Sequence, residues 1–465
     1  MLGHPSRPQF VTLRIEWRGN VMGIFDALTT AVSGLQAQSF ALQNISGNIA
    51  NSQTIGYKET DTAFDALVSQ AALGEQTAGG VFATSVASNG VQGTIQNETV
   101  ATDMAINGQG YFVVTQPTGN SGTNPQFSGI NDYTRRGDFQ EDSNGFMVNG
   151  AGYYLMGIPV DPATGAPTAS SPQVLQFNND FLPAQATTAI NYAANLPSAP
   201  PTGLLTPASY HADPTDTGTG TVQGQDAATF TSQSLDGGSI TAYDSLGNQV
   251  NVQLRWAETA SAGGNNSWQL FYQTSNATSG TTVAWQNAGQ TFTFNSSGQL
   301  TAPAASSLTL TGLAVNGDTV GNVTLNYGGN LTQFASSTGS VQVTSLTQNG
   351  FGAGSLQSLS VAGGQIVGSF SNGQTVALAN VTVATFNGQD SLQALNGEAF
   401  AATPESGNPN FGGTGTVVGS SLEASNVDIA TQFSQLIVAQ QAYSANARVM
   451  TTADQMIQSL LTVIQ

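Results

Sequence analysis

Two histidines are all that this chain of 465 residues offers to imidazole chemistry. His4 lies near the start, and His211 stands between Ser209 and Asp213, so a Ser–His–Asp set would have to be built from nearly consecutive residues. Such sets are assembled from distant segments that converge on a substrate, so His211 reads as a solvated loop residue. Gly108-Gln109-Gly110 resembles a fragment of a dinucleotide loop, but it sits between strand-like runs and opens no helix, which makes it a turn. Asp138, Glu141, Asp142, Asp213 and Asp216 lack the ligand spacing and closing Glu of a calcium loop. No cysteine is present, which removes disulfides, thiolate metal sites and cysteine nucleophiles. The expectation is a chain with no catalytic residue, no cofactor and no metal, hence not an enzyme.

Composition points elsewhere. The 54 Gly and 17 Pro, with abundant Ser, Thr, Asn and Gln, suit short strands joined by tight turns. The length exceeds one ordinary core, so several globular units are expected. Eight Lys and Arg against 27 Asp and Glu give a net charge of -19 and leave little to bind a phosphate backbone, so nucleic acid is excluded as a partner. No apolar run approaches the ~20 residues that span a bilayer, so no membrane insertion is expected. Residues 1–21 hold Arg7, Arg14 and Arg18 without the apolar core of a signal peptide. Met22 stands directly before a heptad pattern, so 1–21 read as a non-native or disordered leader.

The elements that organise the chain are its two ends. Leu28, Leu35, Leu42 and Ile49 recur every seven residues, with Phe25 and Val32 three positions ahead of the first two. At the other end Ile429, Leu436, Tyr443, Met450, Ile457 and Ile464 keep the same spacing, flanked by Phe433, Ala447 and Leu461. Each stripe predicts a long amphipathic helix, and each helix needs a partner to hide its apolar side, so the first expectation is that the two ends pair along these stripes. Val438, Val449, Met456 and Val463 lie a quarter to half a turn off the C-terminal stripe, which calls for a second partner beyond one seam. Asn446, Asp454, Gln440 and Gln38, inside or beside the seams, are candidates for setting register.

Between the helices, Asn-Gly pairs at 107, 144, 149, 316, 349, 372 and 387 predict tight hairpin turns, and alternating runs flank several of them: Tyr111 to Val114, Val250 to Trp256 and Val376 to Phe386. The Pro-, Ala- and Thr-rich stretch from Leu196 to Gly220 marks a linker or long loop. The expected fold is mainly β and multi-domain, with nested β domains inserted between paired terminal helices in a coiled coil. Its units would be 22–52 with 426–465 for the helices, 53–95 with 412–425 as connection, 96–195 with 355–411 as inner β domain, and 196–354 as an outer insert.

Specific residues then resemble a known family. Ser33-Gly34-Leu35, through Asn48-Ile49-Ala50, to Asn51, Thr54 and Gly56-Tyr57-Lys58 resembles the N-terminal signature of the flagellar rod and hook proteins. Asp103 to Phe112, Tyr133 to Phe139, Leu422-Glu423-Ala424, then Ser425-Asn426-Val427-Asp428, and Gln440 to Tyr443 are similar to other parts of that family. Tyr243-Asp244-Ser245-Leu246-Gly247-Asn248, in the insert, and Gln348 to Gly354 and Phe370 to Gln374, after it, resemble its hook members. The resemblance implies a subunit of the extracellular bacterial flagellum, attached to the basal body and exported without a cleaved signal peptide. It also implies a homopolymer, a hollow bendable tube carrying torque from rod to filament. Its partners would be the distal rod, hook cap and hook–filament junction proteins and the flagellar export apparatus. Asn51, Thr54, Gly56 and Tyr57 would shape the connection between helix and β domain. The rival readings are a distal rod protein of the same family and a secreted β-rich adhesin with Trp256, Trp268 and Tyr272 as an exposed strip.

Overall fold

A computed structural model of the chain describes residues 24–67, 79–121, 124–177, 181–199, 220–262 and 265–464. Residues 1–21, expected to be a leader, with His4, and Ser209, His211, Asp213 and Asp216, lie outside them. So do the side chains of Phe25, Val463 and Ile464.

The fold is mainly β with helical ends. Helix α1 (Ile24–Ala50) opens the described chain, a short α2 (Ala227–Ser232) interrupts the middle, and α3 (Ile429–Ile464) closes it. After α1 comes an antiparallel hairpin of β1 (Thr60–Ala66) and β2 (Val81–Ala87).

The inner unit is a sheet ordered Phe181–Leu182, Gly354–Ala362, Gln365–Phe370, Thr375–Val381, Tyr154–Pro159, Tyr111–Thr115, Asp132–Thr134, Ala399–Ala401. It closes over Phe112, Val114, Phe139, Met147, Leu155 and Ile366. Residues near 100 and 420 return to one place, because Ile95–Asn97 pairs with Ser421–Glu423 and Met104–Asn107 with Thr416–Gly419.

The outer unit packs two sheets face to face. In Ala189–Pro197 the residues Ile190, Tyr192, Ala194 and Leu196 are buried, and in Gln249–Ala262 Val250, Val252, Leu254 and Trp256 are buried, the alternation that a two-faced strand requires. The Trp256 indole donates to the Tyr192 hydroxyl at 2.9 Å, and that hydroxyl donates to the Gly237 carbonyl at 2.9 Å, so this stacked pair keeps its polar atoms bonded. On the far face of one sheet, α2 inserts Phe230 beside Phe271 and Trp285. Trp256, Trp268 and Tyr272 are all buried, so they offer no exposed binding strip.

The boundary expected at 196 moves. Ala189–Pro197 pairs with Asp318–Asn326, Leu331–Phe334 and Gln342–Gln348, which places it in the outer unit. The chain crosses between units where Gln185 and Phe351 exchange backbone hydrogen bonds. The Pro-rich composition begins at the end of a buried strand and does not mark the joint itself. The Asn-Gly pairs also divide. Asn316-Gly317 forms a two-residue turn with both φ positive, and 144, 149 and 372 fall in hairpin turns, whereas 107, 349 and 387 lie in connections between elements that do not pair with each other.

A recurring five-residue turn closes several hairpins. Asp142, Asn149, Asp244 and Asn295 each accept, on Oδ1, the backbone N–H groups two and four residues on, and the residue three on is a Gly with positive φ. Asp244 thereby fixes the Tyr243-to-Asn248 turn against Ala184 and Ala353 at the crossing.

Removing the central indole tests the packing of the outer unit. Trp256→Ala, measured by urea unfolding of the full chain, is expected to cost the outer transition about 3–5 kcal/mol. A loss below about 1 kcal/mol would contradict it.

Candidate functional site

The chain ends meet as an antiparallel helix pair. Near the close of α1, the Asn48 amide donates to Gln432 Oε1 at 3.2 Å, near the start of α3. Two heptads away along each helix, Gly34 lies against Asn446, so close that a Cβ on Gly34 would stand 2.7 Å from the Asn446 amide nitrogen. The register between these contacts sets Ala41 level with Ala439, both buried. The seam is therefore Gly34, Ala41 and Asn48 on α1 against Gln432, Ala439, Asn446 and the buried Ala453 on α3.

This corrects the expected pairing. The heptad period holds, but the stripe that faces the partner is the small and polar one. Small side chains let two helix axes approach closely, and the large residues beside them then stand to the flanks. Leu28, Leu35, Leu42 and Ile49 are half-buried, as are Leu436, Ala447 and Ile457. Ile429, Phe433, Tyr443, Met450 and Leu461 are exposed, Tyr443 by 42%. With about 100° of turn per residue, Leu436, Tyr443, Met450 and Ile457 lie to one side of the seam, and Val438, Val449 and Met456 to the other. Val438 is 65% exposed. Of the candidates for setting register, Asn446 enters the seam, Gln38 is half-buried, and Gln440 and Asp454 face out.

The hairpin adds a third element beside α1. The Asn44 amide donates to Thr62 Oγ1 at 2.9 Å and to Ser85 Oγ at 3.2 Å, and the Val81 N–H donates to Ser33 Oγ at 3.2 Å. Between hairpin and α3 runs a groove of about 420 Å³, lined by Ala41, Ile45, Phe64, Val438, Ala439 and Ala442 among others.

At the base of the helices the signature residues converge. Asn51 closes α1 by donating from Nδ2 to the Gly47 carbonyl, and accepts the Thr54 hydroxyl. Gly56 adopts φ +71 and donates its N–H to the Glu423 carbonyl, and a Cβ there would strike the Arg136 backbone at 2.7 Å. The Tyr57 hydroxyl donates to Asn48 Oδ1 at 3.1 Å. Asn426 accepts the Glu59 N–H and donates to Ser88 and Val91. Ser425 Oγ accepts the N–H of the half-buried Val427. Asp428 caps α3, its Oδ1 accepting the Thr431 N–H at 2.8 Å, and these bonds hold its carboxyl below the usual range.

Beneath them lies a buried charge triad. Glu423 is fully buried, with Lys58 Nζ at 2.5 Å on one oxygen and Arg135 at 3.0 Å on the other. Lys58 also donates to the Val91 carbonyl, and Arg135 to the carbonyls of Ile106 and Gly108, with Tyr111 5.3 Å from its guanidinium carbon. Burial weakens the hold of Lys58 on its proton, and Glu423 opposes that. Three segments far apart in sequence are thus tied by one carboxylate. In the sequence Glu423 and Arg135 stand within family-like motifs with no role of their own. The signal was available: in a chain with eight Lys and Arg, a cation inside a β body is a candidate for a buried pair. The pairing of Asn48 with Gln432 carries no such signal, because polar residues at heptad spacing stand out less than the leucines beside them.

Four family models match the chain. They are "Flagella basal body rod protein" over 28–58, "Flagellar hook protein FlgE/F/G D1 domain" over 105–179, "Flagellar basal body protein FlaE D2 domain" over 205–351, and "Flagellar basal body rod FlgEFG protein C-terminal" over 418–463. Relatives match nearly the whole length. The flagellar hook protein FlgE of Brucella abortus is 30% identical over 95% of this chain and 99% of its own, and that of Escherichia coli K12 is 30% identical over 94% and 99%. A crystal structure of Helicobacter pylori flagellar hook protein FlgE2 shares 15% identity at a TM-score of 0.46, covering 71% of this chain and all of the other.

Two predictions follow from the base. Glu423→Gln removes the charge that compensates two buried cations and is expected to destabilise the full chain by about 3–5 kcal/mol in chemical unfolding; a change under about 1 kcal/mol would contradict the triad's role. Asp103, with one buried oxygen lacking a partner, is pushed up to about 6 by burial, Asp138 and Glu98. The folded chain holds this proton more tightly than the unfolded chain, so its contribution to stability falls as pH rises from about 4 through 6. Asp103→Asn should raise the melting temperature at neutral pH, with the gain fading toward about pH 4. A gain that does not depend on pH would refute the assignment.

Proposed function

The chain belongs to the flagellar hook protein family and is a structural subunit of the bacterial flagellar hook, and we propose that it polymerises through its terminal helices into a hollow, bendable tube that transmits torque from rod to filament. The observation that carries this is α3: one stripe rests on α1, and apolar residues stand exposed on both flanks of that stripe. A helix apolar on several sides calls for more than one partner. Sibling copies supply it most economically, since a repeated contact between unlike surfaces of one subunit generates a helical polymer.

The β units fit the mechanical part of the reading. Their surfaces are rich in Gly, Ser, Thr and Asn and poor in charge, so contacts between neighbours can exchange at low cost while the helical tube holds. The role calls for no catalysis. It places the chain outside the cell, in the hook attached to the basal body, and a chain without cysteine has no disulfide to form or break during passage as an unfolded polypeptide. Export through the flagellar apparatus without a cleaved signal, and contacts with distal rod, hook cap and hook–filament junction proteins, belong to the same proposal. The hook is preferred to the distal rod because relatives matched over 99% of their own length are hook proteins.

Charges placed on the flanks test the reading without touching the seam. Val438→Asp and Tyr443→Asp should leave the circular dichroism and melting of the β units unchanged and abolish tubes in electron micrographs, because each buries an unpaired carboxylate only in the assembly. Tubes of normal yield from both variants would refute it.

A further inference from the structure

We infer that Arg448 on the outer face of α3 forms an ion pair with Asp65 of a second copy of this chain, seating α3 of one subunit on the outward face of the β1–β2 hairpin of the next. This rests on the polymer reading above and names the contact within it.

The argument begins with the scarcity of cations. Beyond Arg7, Arg14 and Arg18, the chain holds only Lys58, Arg135, Arg136, Arg255 and Arg448. Lys58 and Arg135 are spent on Glu423, and Arg136 on Asp138 and Glu398. Arg255 donates to Ser234 and to the Thr231 and Ser234 carbonyls behind α2. Among the described residues, Arg448 alone has neither an ion pair nor a hydrogen bond from its guanidinium, and it is exposed. It lies half a turn from the seam, on the α3 face that also carries Ile437, exposed by 52%.

The complementary surface is on the hairpin. Residues directly opposite in an antiparallel pair share a face, so Asp61 with Val86 and Asp65 with Phe82 lie together. The alternate pair Thr62 and Ser85 bonds α1, which turns the Asp61–Asp65 face away from the helix. That outward face exposes two large apolar side chains, Phe82 and Val86, bordered by the two carboxylates. Asp61 borders the groove beside α3, whereas Asp65 is exposed and has no ion pair or hydrogen bond from its carboxylate. An apolar patch edged with acid thus stands free on one element, and an apolar residue followed by a lone cation on another.

The heights agree as well. Val81, one residue before Phe82, bonds Ser33, while Gly34 faces Asn446, two residues before Arg448. Asp65 and Arg448 therefore sit at nearly the same level along α1 but on faces that do not meet within one chain. Side-by-side copies can bring them together with little axial shift. A contact of this kind joins unlike surfaces and so repeats from copy to copy.

The test is charge reversal in the full-length chain, with the critical concentration for assembly read by light scattering and tubes checked by electron microscopy. Arg448→Glu and Asp65→Arg are each expected to raise the critical concentration about tenfold or more, and the double reversal Arg448→Glu with Asp65→Arg to return it to within about threefold of the parent chain. Single variants that assemble like the parent chain overturn the pair and leave the polymer reading intact. Singles that fail while the double reversal also fails overturn Asp65 as the partner. A parent chain that forms no tubes overturns both readings.

Discussion

Two helices that touch can each hide only one stripe. In this chain that stripe is taken by glycine, alanine, asparagine and glutamine, with Gly34 against Asn446 and Asn48 against Gln432. The small side chains bring the axes close, and the amides find partners that fix register. The large apolar residues are left at the flanks, where a single copy cannot cover them. The incompleteness of the isolated subunit follows from which stripe was placed in its own seam.

For that incompleteness to be useful, the helices must be held at a fixed attitude to the β units. The base does this with polar chemistry. Tyr57, Asn48, Gln432 and Glu59 share a chain of hydrogen bonds across the two helix ends, and Glu423 ties Lys58 to Arg135 without contact with water. A buried ion pair adds little net stability compared with apolar packing, but it tolerates no misplacement, since either partner alone would be a stranded charge. Two of the eight cations are committed to this joint, which is consistent with a role in positioning.

The architecture was largely legible in the sequence: β modules between heptad ends, with signature residues around 51–58 and 425–428. The period of the helices was legible too, but not the face. Adjacent stripes share one period, and reading by hydrophobicity favours leucine over alanine, although the smaller residue gains the closer approach. The boundary expected at 196 shifts for a similar reason: the composition change at Leu196 reports where a strand ends, and the chain crosses between units earlier, at Gln185 and Phe351. The scarcity of cations marks Lys58 and Arg135 as candidates for a buried pair, but Glu423 as their shared partner is not legible, because the three come from segments that only the fold brings together, whereas the turns at Asp142 and Asn149 are legible because their bonds are local.

The absence of cysteine allows the central claim to be measured directly, because one introduced thiol is the only thiol. Val438→Cys and Tyr443→Cys, labelled with a maleimide before and after assembly, report whether the two flanks of α3 are covered by neighbours. The account predicts rapid labelling of free subunits and a fall in rate of about tenfold or more at both positions in tubes. Equal rates in subunit and tube at either position would contradict it.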